Sequence, residues 1–148
     1  MGLQKKVMEQ MKMAMKAKDT VALESLRAIK SALLLAQTSG NGDLSEDDEV
    51  KLVQKLVKQR KDSAAIFTEQ GRDDLAEPEL AQVVVIEQFL PEQLTEEEIE
   101  KVVVQTIDAT GASGMKDMGK VMGVVSKELA GQADGKTIST IVKNKLSL

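Results

Sequence analysis

The sequence contains no cysteine, histidine, tryptophan or tyrosine, and only two prolines and two phenylalanines in 148 residues. Without cysteine, neither a disulfide nor a cysteine-based zinc site can form. Without histidine as well, the usual general bases, nucleophiles and metal ligands are missing, and acid–base work would fall to Asp, Glu and Lys. None of the ten glycines sits in a phosphate-cradling loop, a nucleophile elbow or a dinucleotide fingerprint. The composition argues against a self-contained enzyme, and no catalytic residue, cofactor or metal is expected. Aromatic scarcity within a 42% hydrophobic chain suits helices packed with Leu, Val, Ile and Met, and argues against a β-sandwich. No apolar run approaches the ~18 residues of a membrane span. No signal-peptide core is visible, and Met1-Gly2 lacks the Ser/Thr at position 6 that myristoylation prefers. The expectation is a soluble cytoplasmic protein with no membrane partner.

The charge that is present is unevenly spread. Residues 1–110 carry 14 basic and 21 acidic side chains, a net of −7, whereas residues 111–148 carry six and three, a net of +3. Any anion-binding surface is therefore expected in the tail.

That tail holds the most unusual stretch. Residues 111–136 contain six of the ten glycines and four lysines, yet the middle keeps helical periodicity, predicting a helix over about 114–130. Met118, Val121, Met122, Val125 and Leu129 share an apolar arc. Gly119, Gly123, Ser126 and Ala130 form a second, flat strip, with Lys116, Lys120 and Lys127 beside it. A glycine inside an exposed helix costs roughly 1 kcal/mol relative to alanine. Keeping two suggests that something approaches the backbone closely. Either a neighbouring helix packs on the strip, or a sugar-phosphate backbone lies along it while the lysines neutralise phosphates.

Along the rest of the chain, residues 3–17 read as an amphipathic helix with Leu3, Val7, Met8, Met11 and Met15 inside and Lys5, Lys6, Lys12 and Lys16 outside. Asp19 caps a helix over 20–38 whose stripe is Ala22, Leu26, Ile29, Leu33 and Ala36, widened by Leu23 and Leu34. Arg27 and Lys30 at its edge read as snorkelling stems, the alternative being a second cationic patch. Residues 38–43 form a loop, and Ser45 with Asp48 opens a helix over 46–70 that Gly71 ends. The acidic cluster Glu46–Glu49 is cap chemistry rather than a metal site. Arg60 falls within the apolar arc and calls for a carboxylate partner, as a structural anchor or a site residue. A fourth helix is expected over 73–90, with Leu80, Val83, Val84, Ile86 and Leu90 apolar, its regular part starting at Pro78 in position N1. Pro91 ends it and marks the domain boundary. Thr95 and Glu98 form a capping box, and the helix that follows stops at Gly111. Asp134 caps a last helix with Ile138, Ile141, Val142 and Leu146 inward and Lys136, Thr140 and Lys143 opposite. The fold class expected is all-α, with a four-helix antiparallel domain over 1–92 and a three-helix tail domain over 93–148.

Four blocks carry a family resemblance. They are Lys58-Gln59-Arg60-Lys61-Asp62-Ser63, Gly71-Arg72-Asp73-Asp74-Leu75, Phe89-Leu90-Pro91-Glu92-Gln93-Leu94, and the run from Met115 to Gly123 continued by Gly131-Gln132-Ala133-Asp134-Gly135-Lys136. In this order they resemble the GatB/YqeY family over nearly the whole chain. That family shares a small helical tail with the B subunit of the tRNA-dependent amidotransferase, a glutamine-using carbon–nitrogen ligase that corrects misacylated tRNA. The resemblance implies an RNA-contacting module, with tRNA or another structured RNA as partner and an amidotransferase or other protein as a second. On that reading the nucleic-acid-binding residues are Lys116, Gly119, Lys120, Gly123, Lys127, Lys136 and Lys143. The B subunit's kinase-like domain does not fit in 148 residues, and the serine–lysine site of the amidase subunit has no counterpart here. The alternative is a helical protein-interaction module with no RNA role. Few aromatics mean little base stacking, hence contact through shape and backbone.

Overall fold

The computed structural model describes residues 2–40 and 42–147. Among these, seven α-helices and one 3₁₀ turn account for all regular structure, with no strand. The helices are α1 (Gly2–Ala17), α2 (Thr20–Ser39), α3 (Glu46–Glu69), α4 (Asp73–Glu87), α5 (Glu96–Thr110), α6 (Met118–Glu128) and α7 (Gly135–Leu146), with the 3₁₀ turn at Met115–Asp117. The protein is all-α. Its internal contacts fall into two compact units, the chain passing from one to the other between Leu90 and Pro91.

Helix ends follow from local chemistry. Asp19 accepts from the Ala22 N–H at 3.0 Å and starts α2. Ser45 with Asp48 and Thr95 with Glu98 close complete capping boxes at α3 and α5. Gly71 ends α3 at φ 72°, with Arg72 N–H on the Phe67 carbonyl and Gly71 N–H on that of Thr68. The same pair of bonds ends α1, where Lys18 takes the left-handed position at φ 57°. A side chain there costs about 1 kcal/mol that glycine would avoid. Asp134 stands at the N-cap of α7 as expected, but its side chain makes no cap bond.

In the first unit α1 packs on α2, α2 on α3 and α4, and α3 along α4. Leu3, Val7, Ala14, Leu26, Ile29, Leu33, Val53, Val57, Val83 and Ile86 form its buried core. Each large side chain so buried contributes roughly 1.5–3 kcal/mol. Several expected core residues lie elsewhere. Met8 and Met15 are exposed because α1 buries the narrower Leu3–Val7–Ala14 stripe, in which Ala14 replaces the expected methionine. Leu34, Leu80 and Val84 are exposed as well, Val84 at 72%.

The start of α4 also departs from expectation. The helix begins at Asp73, so Pro78 is its sixth residue rather than its first. The bond Pro78 cannot donate would have gone to the Asp74 carbonyl, on a residue exposed to water. Burial of Ala76 and the hydrogen bonds of the Leu75 and Ala76 N–H groups to the Arg72 carbonyl hold the first turn without it. At the other end α4 stops at Glu87, and Phe89 and Leu90 close tighter turns onto Ile86 and Glu87. Arg60 is half-buried, and its partner is an amide rather than a carboxylate. Its Nε donates to Gln82 Oε1 at 2.8 Å and a terminal nitrogen to the Leu56 carbonyl at 3.1 Å. Gln82 in turn donates to Glu24 at 3.4 Å. The expected 38–43 loop follows α2, which runs to Ser39; its Asn41 lies outside the described residues.

In the second unit α5, α6 and α7 pack on one another around Ile99, Val103, Val121, Val125, Leu129, Ile138, Val142 and Leu146. Leu94 packs against this core just before α5, supplying the hydrophobic staple. The chain entering α5 is held by Leu94 N–H on the Gln132 carbonyl (2.9 Å) and Gln93 Nε2 on the Gly131 carbonyl (2.7 Å). Thr106, buried in α5, donates back to the Val102 carbonyl at 2.9 Å, so its hydroxyl is satisfied.

Candidate nucleic-acid interface

Helix α6 is shorter than its sequence suggests. The segment 115–117 is a 3₁₀ turn, and Met118 opens the α-helix. The turn is fixed by glycines at φ 67° and 75° (Gly111 and Gly114) and by Asp117 Oδ2, which accepts from the Ser113 N–H at 2.8 Å. Gly119 is therefore the second residue of α6, where a helix tolerates glycine cheaply, and Gly123 is the one glycine in its interior.

The orientation of α6 follows from what it buries. Val121 and Val125 are fully buried, and at about 100° per residue they centre the inward arc of the helix. Gly119, Gly123 and Ser126 then fall about 120–180° away, on the outward side. All three are exposed, as is Ala130 beyond the helix end. A Cβ built on Gly119 or Gly123 meets no heavy atom of the described residues within 4 Å beyond its own helix backbone and chain neighbours. The strip therefore receives no neighbouring helix inside its own unit, which corrects the packing alternative there. It is an open surface on which the backbone is accessible.

The lysines fall into two groups. Lys120 and Lys127 lie on the flank of the glycine pole, about 80–100° around the helix from Gly119. Lys120 Nζ stands 3.5 Å from the Thr110 carbonyl at the C-terminal end of α5, where a cation is favoured. Lys116 precedes α6 in the 3₁₀ turn. Lys136 and Lys143 sit on the exposed side of α7, opposite Ile138 and Val142, on their own helix face. All five are exposed, and none makes an ion pair among the described residues. Lys145, by contrast, is tied to Glu100 of α5. Two exposed apolar side chains near the strip, Val124 at 43% and Met115 at 45%, were not singled out by periodicity. Both count as apolar in any pattern, and only the structure shows that the core leaves them out.

No cluster of three or more Asp or Glu side chains suited to a metal occurs among the described residues. Resolved pKa displacements belong to one exposed pair. Asp74 is held below its ordinary value by its hydrogen bonds to Arg72, which is raised in turn.

Fold and surface together define an all-helical protein whose tail unit presents a glycine-lined, lysine-flanked helix to solvent. The model of the Yqey-like protein family matches residues 4–146, and the chain belongs to that family. It is 35% identical over 104 residues to the E subunit of glutamyl-tRNA(Gln) amidotransferase from Thermococcus gammatolerans, a match covering 68% of this chain and 17% of that protein. It is 30% identical over 125 residues to the mitochondrial altered inheritance of mitochondria protein 41 of Pyrenophora tritici-repentis, covering 83% of this chain and 68% of that protein. The Saccharomyces cerevisiae protein of the same name is 29% identical over 134 residues, 88% of this chain and 69% of its own length. The chain thus spans about a sixth of the amidotransferase relative, and about two thirds of these fungal relatives. No helix is long and apolar enough to cross a membrane among the described residues.

Proposed function

We propose that the protein is an RNA-binding factor that contacts tRNA, or an RNA of similar fold, along the sugar-phosphate backbone and serves amidation of misacylated tRNA. The observation that carries this reading is the open glycine pole of α6: among the described residues of its unit, nothing lies within 4 Å of a Cβ added at Gly119 or Gly123, and the lysines that flank it make no ion pair. A phosphate backbone can approach such a surface closely. Lys116, Lys120 and Lys127 supply charge beside it, and Lys136 and Lys143 supply it on α7. The relative whose name is that of a glutamyl-tRNA(Gln) amidotransferase component supports tRNA as the RNA. Contact through backbone and shape suits a chain with 1% aromatic residues, which offers little for base stacking. The glutamine-dependent ligase would be a partner, and the setting an aqueous compartment that holds tRNA, the cytoplasm or the interior of a mitochondrion.

The test is titration of unfractionated tRNA at several salt concentrations. Three to five contacted phosphates give a slope of log K against log salt of about −2 to −4.5. Absence of binding even at low salt would overturn the reading. Salt-insensitive capture of a protein instead would make the surface a protein-docking face.

A further inference from the structure

The first 40 residues carry seven basic and three acidic side chains, a net of +4, within a chain whose net charge is −4. The fifty residues that follow within the same unit, 41–90, carry six basic and 12 acidic, a net of −6. Carboxylates are therefore plentiful in the same unit, since α2 packs on α3 and α4. Yet none of Lys5, Lys6, Lys12, Lys16, Lys18, Arg27 and Lys30 makes an ion pair among the described residues, and all seven are exposed.

The three carboxylates of this segment are mostly committed elsewhere. Asp19 is held as the N-cap of α2 by the Ala22 N–H. Glu24 accepts from Gln82, at the far end of the chain of bonds that holds Arg60. Only Glu9 remains on the outward side of α1. With Leu3, Val7 and Ala14 buried, Lys5, Lys12 and Lys16 fall within about 40° of one another on the opposite pole. Exposed Met8 and Met15 lie on one flank of this ridge and Met13 on the other. Lys30 of α2 stands apart from this ridge, beyond Met8 and Met15, where it lines a shallow cleft with Gln4 and Val7 of α1. Lys18 adds a cation in the turn between the helices, keeping a left-handed backbone position that glycine would fill without strain.

We infer that the outward ridge of α1 is a second polyanion-binding surface, which takes the phosphate backbone of structured RNA through Lys5, Lys12 and Lys16. This rests on the RNA-binding reading of the tail and adds a contact region in the other unit. RNA is favoured over an anionic membrane because α1 and α2 turn their continuous apolar stripes into the core, leaving Met8, Met13, Met15, Val21, Leu34 and Leu35 outside but spread over different helix faces. A membrane-surface helix needs that stripe free for the lipid.

The experiment compares the full-length protein with two variants, Lys5→Ala/Lys12→Ala on α1 and Lys120→Ala/Lys127→Ala on α6, each titrated with unfractionated tRNA across salt. Both α1 lysines are exposed and lie inside the helix, so alanine preserves the fold, and a circular dichroism melt confirms it. The expected result is a salt slope shallower by about 1.4–1.8 for the α1 variant, at 0.7–0.9 per lost phosphate contact, with weaker binding for every tRNA alike. An α1 variant with the parent's slope and affinity, beside an α6 variant that weakens, overturns this inference and leaves the tail reading standing. Loss only in the α1 variant supports the inference and removes the α6 site. No tRNA binding by the parent overturns both. Binding to phosphatidylglycerol vesicles that the α1 variant loses, with tRNA binding unchanged, assigns the ridge to lipid and also overturns it.

Discussion

Replacing Gly123 by alanine tests whether the α6 pole is open. The residue sits at the sixth position of an 11-residue helix, exposed, with φ outside the left-handed range. A Cβ there meets nothing within 4 Å, so no overpacking cost arises. What remains is helix propensity, which favours alanine over glycine by about 0.8–1 kcal/mol in a helix interior. Gly123→Ala should therefore stabilise the protein by about 0.5–1 kcal/mol, raising the melting temperature by roughly 1–4 °C for a chain of this size. Gly119→Ala should gain less, because Gly119 lies in the first turn. Circular dichroism melts and urea titration read the effect. Destabilisation by about 1 kcal/mol or more would mean that α6 packs on something, and would refute the open-pole argument. A variant that is more stable but binds tRNA less well would explain why a helix keeps a glycine that weakens it.

Other outcomes follow from the same contacts. Thr95→Ala breaks the capping box of α5 and should cost about 0.5–2 kcal/mol in urea unfolding; an unchanged midpoint would count against the cap. Asp74 is depressed by Arg72, so its contribution to stability is complete above the ordinary carboxylate pKa and is lost as pH falls through its lower folded value. The pair is solvent-exposed, so the loss should be slight; carboxyl NMR should place the Asp74 midpoint below that of Asp74 in the Arg72→Ala variant, and equal midpoints would remove the pair. We propose that the unit starting at Pro91 folds alone, because its own core and its Leu94 and Gln93 bonds lie within it. A fragment beginning there should keep helical circular dichroism and melt cooperatively; a disordered fragment would sink this.

Much of the fold could be read from residues with local partners. Asp19, Ser45, Thr95 and Gly71 act within a few positions of themselves, so their chemistry is complete in the sequence and α2, α3 and α5 begin or end where it says. Misreadings came where a distant neighbour decides. Met8, Leu34, Leu80 and Val84 are as apolar as residues that are buried, and only the partner helix selects which stripe is covered. Arg60 needed an acceptor, but the chain supplies Gln82 from another helix, which no spacing announces. Pro78 lies inside α4 because the Arg72 carbonyl is bonded by the Leu75 and Ala76 N–H groups and Ala76 is buried, and that burial depends on tertiary packing. For the candidate site, the glycines and lysines of α6 were visible as a pattern, and the pattern left two readings open. The empty space above Gly119 and Gly123 was not in the pattern; it follows from Val121 and Val125 turning the opposite face into the core.

The most direct test of the account is tRNA affinity of the Gly119→Leu/Gly123→Leu variant beside the parent, with melts of both. These substitutions leave net charge unchanged and add bulk only on the open pole. The account predicts a folded protein, no less stable than the parent, whose tRNA binding falls at least tenfold because the backbone can no longer lie close. A variant that folds normally and binds tRNA with parental affinity would contradict it.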